Sequence, residues 1–104
     1  MDAVTALSGS GPAYVFEFIR VLVEGAVDLG LPGEQALRLA VQTIAGAAEM
    51  LRQGCGTPEE LRTAVTSPGG TTEAALGVLR QKGFEKLIAE TLRAARDRSL
   101  ELGR

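Results

Sequence analysis

From Pro12 to Leu29 the chain reads PAYVFEFIRVLVEGAVDL, and this stretch constrains the fold most. Glu17, Arg20, Glu24 and Asp28 are spaced by 3, 4 and 4 residues. At 100° per residue they occupy an arc of only about 80°. Almost every other position is apolar, including Tyr14, Val15, Phe16, Phe18, Ile19 and Val21. A helix apolar over most of its circumference must be covered from several sides. A chain of 104 residues has trouble doing that alone, because a small domain leaves much of its surface in water. Two readings follow: a central helix in a monomeric bundle, or a helix buried by a second copy of the chain. The second is preferred here.

The remaining punctuation gives an all-helical protein. Glycine and proline fall between long apolar-periodic segments, and no segment alternates with period two as an exposed strand would. A short helix is expected over residues 2–7, followed by the break Ser8-Gly9-Ser10-Gly11-Pro12. The apolar helix then runs to about Leu29, stops at Gly30 and has Pro32 just beyond. A third is expected over 34–53. It carries Ala40, Ala45, Gly46, Ala47 and Ala48, small residues that permit close helix approach. Thr57-Pro58-Glu59-Glu60 has the form of a capping box, with Pro58 as first helical residue, and this helix should end by Thr66. Another begins near Thr71 or Thr72 and stops at Gly83. The last covers 84–102, with Phe84, Leu87, Ile88, Leu92 and Ala95 on one face and Glu85, Lys86, Glu90, Arg93 and Asp97 on the other. It reads as an outer helix with a solvated polar face.

Composition removes several chemistries. With 11 Lys+Arg against 13 Asp+Glu, the net charge is −2. No basic cluster is present to neutralise a nucleic-acid backbone. There is no histidine and a single cysteine, Cys55. This excludes histidine-based triads, most zinc sites and an internal disulfide. Cys55, between Gly54 and Gly56, has no histidine to serve as its base and is read as incidental. One thiol without a disulfide framework fits a reducing cytoplasm. The N-terminus lacks a basic region and a long apolar run, so no signal peptide is expected. Glu17, Arg20 and Glu24 argue against a membrane span. Gly9-Ser10-Gly11 invites comparison with a dinucleotide fingerprint, but Tyr14 stands at the third glycine position and no strand precedes it. There is no Walker A motif and no nucleophile elbow.

The stretch Thr66-Ser67-Pro68-Gly69-Gly70-Thr71-Thr72 stands apart. Pro68 fixes one φ angle, and the two glycines open conformations closed to other residues. Such a loop can turn several N–H groups towards one point before opening a helix, whose first N–H groups are unpaired and whose dipole favours an anion. Ser67, Thr71 and Thr72 add hydroxyls. The stretch is therefore either a seat for a carboxylate or phosphate, or a well-capped tight turn. Phosphate is the weaker choice, since the nearest cations in sequence, Arg62 and Arg80, are away from the loop.

The run from Ala64 to Leu76, AVTSPGGTTEAAL, resembles the signature segment of pyrroline-5-carboxylate reductases. The run from Ala3 to Tyr14, AVTALSGSGPAY, is similar to another stretch of that family, and Gly30-Leu31-Pro32 lies between them. The resemblance spans essentially the whole chain and is to the family's C-terminal domain only. It implies an all-α bundle of about five to six helices, of the 6-phosphogluconate-dehydrogenase C-terminal type, forming one domain over residues 1–104. It further implies an intertwined homodimer, with higher oligomers in some members. The family reduces 1-pyrroline-5-carboxylate to L-proline with NAD(P)H, which an N-terminal Rossmann domain binds. Met1 is thus expected to stand where the family has an upstream chain, the sequence being either a piece of a longer protein or a separately encoded domain, and this domain alone is expected to bind no cofactor and to be inactive. Carried over, the family pattern has Ser67 and the N–H groups of Thr71 and Thr72 hold the substrate carboxylate, with Gly69 and Gly70 letting the backbone close around it. The Thr72 hydroxyl would face the ring nitrogen and help deliver or orient its proton, directly or through water. Ser10, Gly11 and Pro12 would lie towards the nicotinamide. The alternative is a helical oligomerisation module with no ligand site.

Overall fold

The computed structural model describes residues 1–103, and among them there is no strand. Six α-helices follow one another: α1 (Asp2–Val4), α2 (Gly11–Asp28), α3 (Gly33–Arg52), α4 (Pro58–Ala64), α5 (Thr71–Gln81) and α6 (Phe84–Leu102). This is the expected all-helical class. A π-helical turn, Thr5–Gly9, continues α1 towards α2. The expected break over residues 8–12 is therefore narrower. Ser8 and Gly9 stay helical: the Ser10 N–H donates to the Thr5 carbonyl at 2.9 Å, and the Ser8 hydroxyl donates to the Val4 carbonyl at 3.0 Å. The wide turn absorbs the glycine without a loop, and α2 already begins at Gly11.

The chain forms two compact units. The first joins Met1–Ala13 to the chain from Thr66 onward. Here α1 and the π-helical turn pack on α6, and α5 packs on α6. Ala6 is buried at 2% exposure. The Ser99 hydroxyl donates to an Asp2 carboxylate oxygen at 2.7 Å, tying the two ends of the sequence together. On α6, Thr91, Leu92, Ala95 and Ser99 are half-buried while Leu87 and Leu102 are exposed. The apolar face of this helix is thus only partly covered.

The second unit is Tyr14–Val65. Helices α2 and α3 both end in Schellman motifs. After α2, the Leu31 N–H donates to the Ala26 carbonyl and the Gly30 N–H to the Val27 carbonyl, at 3.1 and 2.9 Å. After α3, the Cys55 N–H donates to the Met50 carbonyl and the Gly54 N–H to the Leu51 carbonyl, both at 3.1 Å. The connector around Cys55 is thus a helix stop, and its thiol is free and exposed. The Thr57 capping box closes as expected: the Glu60 N–H donates to the Thr57 hydroxyl at 3.1 Å and the Thr57 N–H to the Glu60 carboxylate at 2.9 Å. The Thr57 backbone N–H, and next the Thr57 hydroxyl, hold the Glu60 carboxyl below its ordinary range.

No residue of α2 is buried. Phe16 is 70% exposed and Phe18 47%. Among the described residues no helix packs along α2. Its polar stripe is self-satisfied: Arg20 grips both Glu17 carboxylate oxygens, at 2.9 and 2.7 Å, and also reaches Glu24. The pairing with Arg20 holds Glu17 below the usual carboxylate range. These exposed pairs add little stability. What they leave is a broad apolar surface in which Phe16, Phe18, Val21, Leu22 and Val27 are exposed.

Candidate functional site

The distinctive joint folds as two nested devices. Ser67-Pro68-Gly69-Gly70 is a tight turn, with the Gly70 N–H donating to the Ser67 carbonyl at 3.0 Å. Pro68 sits at the second position and Gly69 at the third with φ +72°, the pattern of a type II turn. Each glycine has its own reason. Gly69 takes a left-handed conformation that other residues resist. At Gly70, a Cβ would stand 3.2 Å from the Ser67 carbonyl oxygen. Gly70 then caps α5, which starts at Thr71, and its carbonyl accepts from the Ala74 N–H at 3.2 Å.

The first turn of α5 leaves donors unpaired. Among the described residues, no hydrogen bond is made by the N–H groups of Thr71 and Thr72 or by the Ser67 and Thr72 hydroxyls. Ser67, Gly69 and Thr71 are exposed, while Gly70 and Thr72 are half-buried. The turn therefore places five candidate residues, Ser67, Gly69, Gly70, Thr71 and Thr72, around the positive end of an eleven-residue helix. One partner escaped the sequence reading. Glu73 turns its carboxylate back to accept from the Gly69 N–H at 3.1 Å. An acidic residue at the third helical position, three after the cap, signals a side chain that can turn back, though not which N–H it meets.

Ser10, Gly11 and Pro12 belong to the same compact unit as this loop. Ser10 and Gly11 are half-buried and Pro12 is exposed. Among the described residues no hydrogen bond joins the two stretches. The Ser10-Gly11-Pro12 stretch runs from a π-helical turn into α2 with no strand before it, unlike a dinucleotide fingerprint. Gly9 closes the π-helical turn, Gly11 opens α2, and Pro12 has no N–H to offer a phosphate. A shallow apolar groove lined by Ala3, Ala6, Leu7, Leu92, Arg93 and Arg96 involves none of the loop residues. No group of acidic, cysteine or histidine side chains among the described residues is placed to hold a metal ion, and none of their helices is long and apolar enough to cross a membrane.

Known proteins match this chain in sequence and in fold. A reductase from Synechocystis sp., named pyrroline-5-carboxylate reductase, is 50% identical over 104 residues, covering all of this chain and 39% of the relative. A soybean (Glycine max) protein of the same name is 48% identical over 97% of this chain and 37% of its own length. The chain thus spans less than two fifths of these curated relatives. Among solved structures, the Plasmodium falciparum pyrroline carboxylate reductase with NADP bound matches with a TM-score of 0.96 and 36% identity, over the whole of this chain and 40% of that one. The Coxiella burnetii pyrroline-5-carboxylate reductase matches with a TM-score of 0.93 and 46% identity, over 97% and 37%. The family model described as pyrroline-5-carboxylate reductase dimerisation matches residues 1–102. An all-helical chain with an uncovered apolar helix, a glycine-rich turn opening α5 and this match from end to end belongs to the pyrroline-5-carboxylate reductase dimerisation family.

Proposed function

We propose that residues 1–104 act as the C-terminal dimerisation and substrate-binding domain of a cytoplasmic pyrroline-5-carboxylate reductase. Such an enzyme reduces 1-pyrroline-5-carboxylate to L-proline with NAD(P)H. The observation that carries the substrate role is the Ser67–Gly70 turn, which leaves the Thr71 and Thr72 N–H groups unpaired at the start of α5. Unpaired helix-start donors suit a carboxylate. In this reading Ser67 and those two N–H groups hold the carboxylate. Gly69 and Gly70 allow the backbone to close, and the Thr72 hydroxyl hydrogen-bonds the ring nitrogen, orienting its proton. The loop is open to solvent, so substrate is enclosed only when another part of the enzyme covers it. The residues present do not fit a dinucleotide, so the cofactor is carried by another domain. Ser10, Gly11 and Pro12 border its nicotinamide side.

Calorimetric titration with L-proline tests the binding role. Ser67→Ala and Thr72→Ala should each weaken binding by about 1.5–3 kcal/mol, the loss of a charge-assisted hydrogen bond, or tenfold and more in affinity. Without its dinucleotide domain the chain should turn over no substrate with NAD(P)H. A second reading, an oligomerisation module whose turn is only a cap, is favoured by one observation: Glu73 already bonds a loop N–H. Absence of proline binding would support it.

A further inference from the structure

We propose that Glu73 sets the affinity of the Ser67–Thr72 loop for anions, by holding the turn and by keeping a negative charge beside its free donors. The inference rests on the carboxylate-binding reading above. An acidic residue at the third helical position ordinarily bonds the N–H of the cap residue. Here the Gly70 N–H is already taken by the Ser67 carbonyl at 3.0 Å. Glu73 therefore reaches one residue further, to the Gly69 N–H at 3.1 Å. That bond anchors the one residue of the turn in a left-handed conformation. It also brings a carboxylate to the helix end that would receive the ligand.

The two effects act in opposite directions on a bound anion. Pinning Gly69 keeps the turn in the form that leaves the Thr71 and Thr72 N–H groups open, which favours binding. The charge itself opposes it. Glu73 has no cationic partner among the described residues, so its charge is uncompensated there. Thr71, Thr72 and Glu73 are consecutive in one helical turn, which rises 5.4 Å. A carboxylate on the Thr71 and Thr72 donors would lie well inside the ~10 Å screening length at 0.1 M salt. Glu73 thereby lowers affinity for carboxylates in favour of release, and it penalises a more highly charged anion such as phosphate more heavily.

The probe is cyclopentanecarboxylate, with the neutral cyclopentanecarboxamide as control, titrated calorimetrically at 0.05 M and 1 M salt. Glu73→Gln retains an oxygen that can accept from the Gly69 N–H and removes the charge. It should bind the carboxylate about three- to sixfold more tightly than the parent chain at low salt. The gain should largely vanish at 1 M salt, where the screening length is ~3 Å. Carboxamide binding should not change. Glu73→Ala, which also loses the Gly69 bond, should bind less tightly than Glu73→Gln. If the parent prefers carboxylate to carboxamide but Glu73→Gln shows no salt-dependent gain, the charge role is overturned while the binding reading stands. Equal affinity of Glu73→Ala and Glu73→Gln would overturn the positioning role. A parent chain that does not prefer the carboxylate overturns both.

Discussion

Gly69 concentrates the residue-scale physics of this chain. Its φ of +72° is reached by glycine without cost, whereas a Cβ in the left-handed region costs about 1–2 kcal/mol. Gly69→Ala should therefore lower stability by an amount of that order, measured as a shift in the urea midpoint. It should also weaken L-proline binding, because the turn that exposes the Thr71 and Thr72 donors is displaced. Gly70 fails differently, since its Cβ would press on the Ser67 carbonyl oxygen. Much of this was legible beforehand. Pro68-Gly69-Gly70 announces a turn needing a left-handed residue, and hydroxyl residues at the helix start announce free donors. The Glu73 bond was not legible, because which N–H a reaching side chain finds depends on which donors the turn has already used.

At the scale of elements, the most transparent local feature is the start of α4. Thr57 and Glu60 satisfy each other's backbone N–H groups, so Thr57→Ala should cost about 1 kcal/mol in thermal or urea unfolding. The pH dependence follows from the direction of the Glu60 shift. Its folded pKa lies below the ordinary value of 4.5. The cap's contribution is therefore complete above that value and is lost as pH falls through the lower, folded value. Glu60→Gln should remove this acid-side loss, seen as a shallower decline of the unfolding midpoint with falling pH. Helix boundaries were mostly readable, since Gly30, Pro32, Gly54 and Gly83 interrupt clear apolar periods. The π-helical turn was not. Ser8-Gly9-Ser10 has the composition of a loop, yet the Ser10 N–H finds the Thr5 carbonyl five residues back and keeps the chain helical.

The whole molecule leaves more surface in water than a self-sufficient fold of its mass would. Its accessible area is 8267 Å², whereas a folded monomer of its mass exposes about 5,600 Å². The excess is visible within single elements. Phe16, Val21 and Val27 on α2, and Leu37 and Val41 on α3, are exposed, and among the described residues the only buried apolar side chains are alanines, Ala6, Ala36 and Ala40. Contiguous exposed apolar surface of this kind marks an interaction face. The composition of α2 carried that message in the sequence, because four charged residues on one narrow arc leave the rest of the helix needing cover. Which chain covers it is a property of the assembly, and no single-chain periodicity encodes it. The dimerisation family match and the bare α2 give the same answer from independent directions. Light scattering on a size-exclusion column, across a wide range of loading concentrations, tests it most directly. The account predicts a constant molar mass of twice the chain's 10.9 kDa, or a higher even multiple. A mass of 10.9 kDa at every concentration would contradict it.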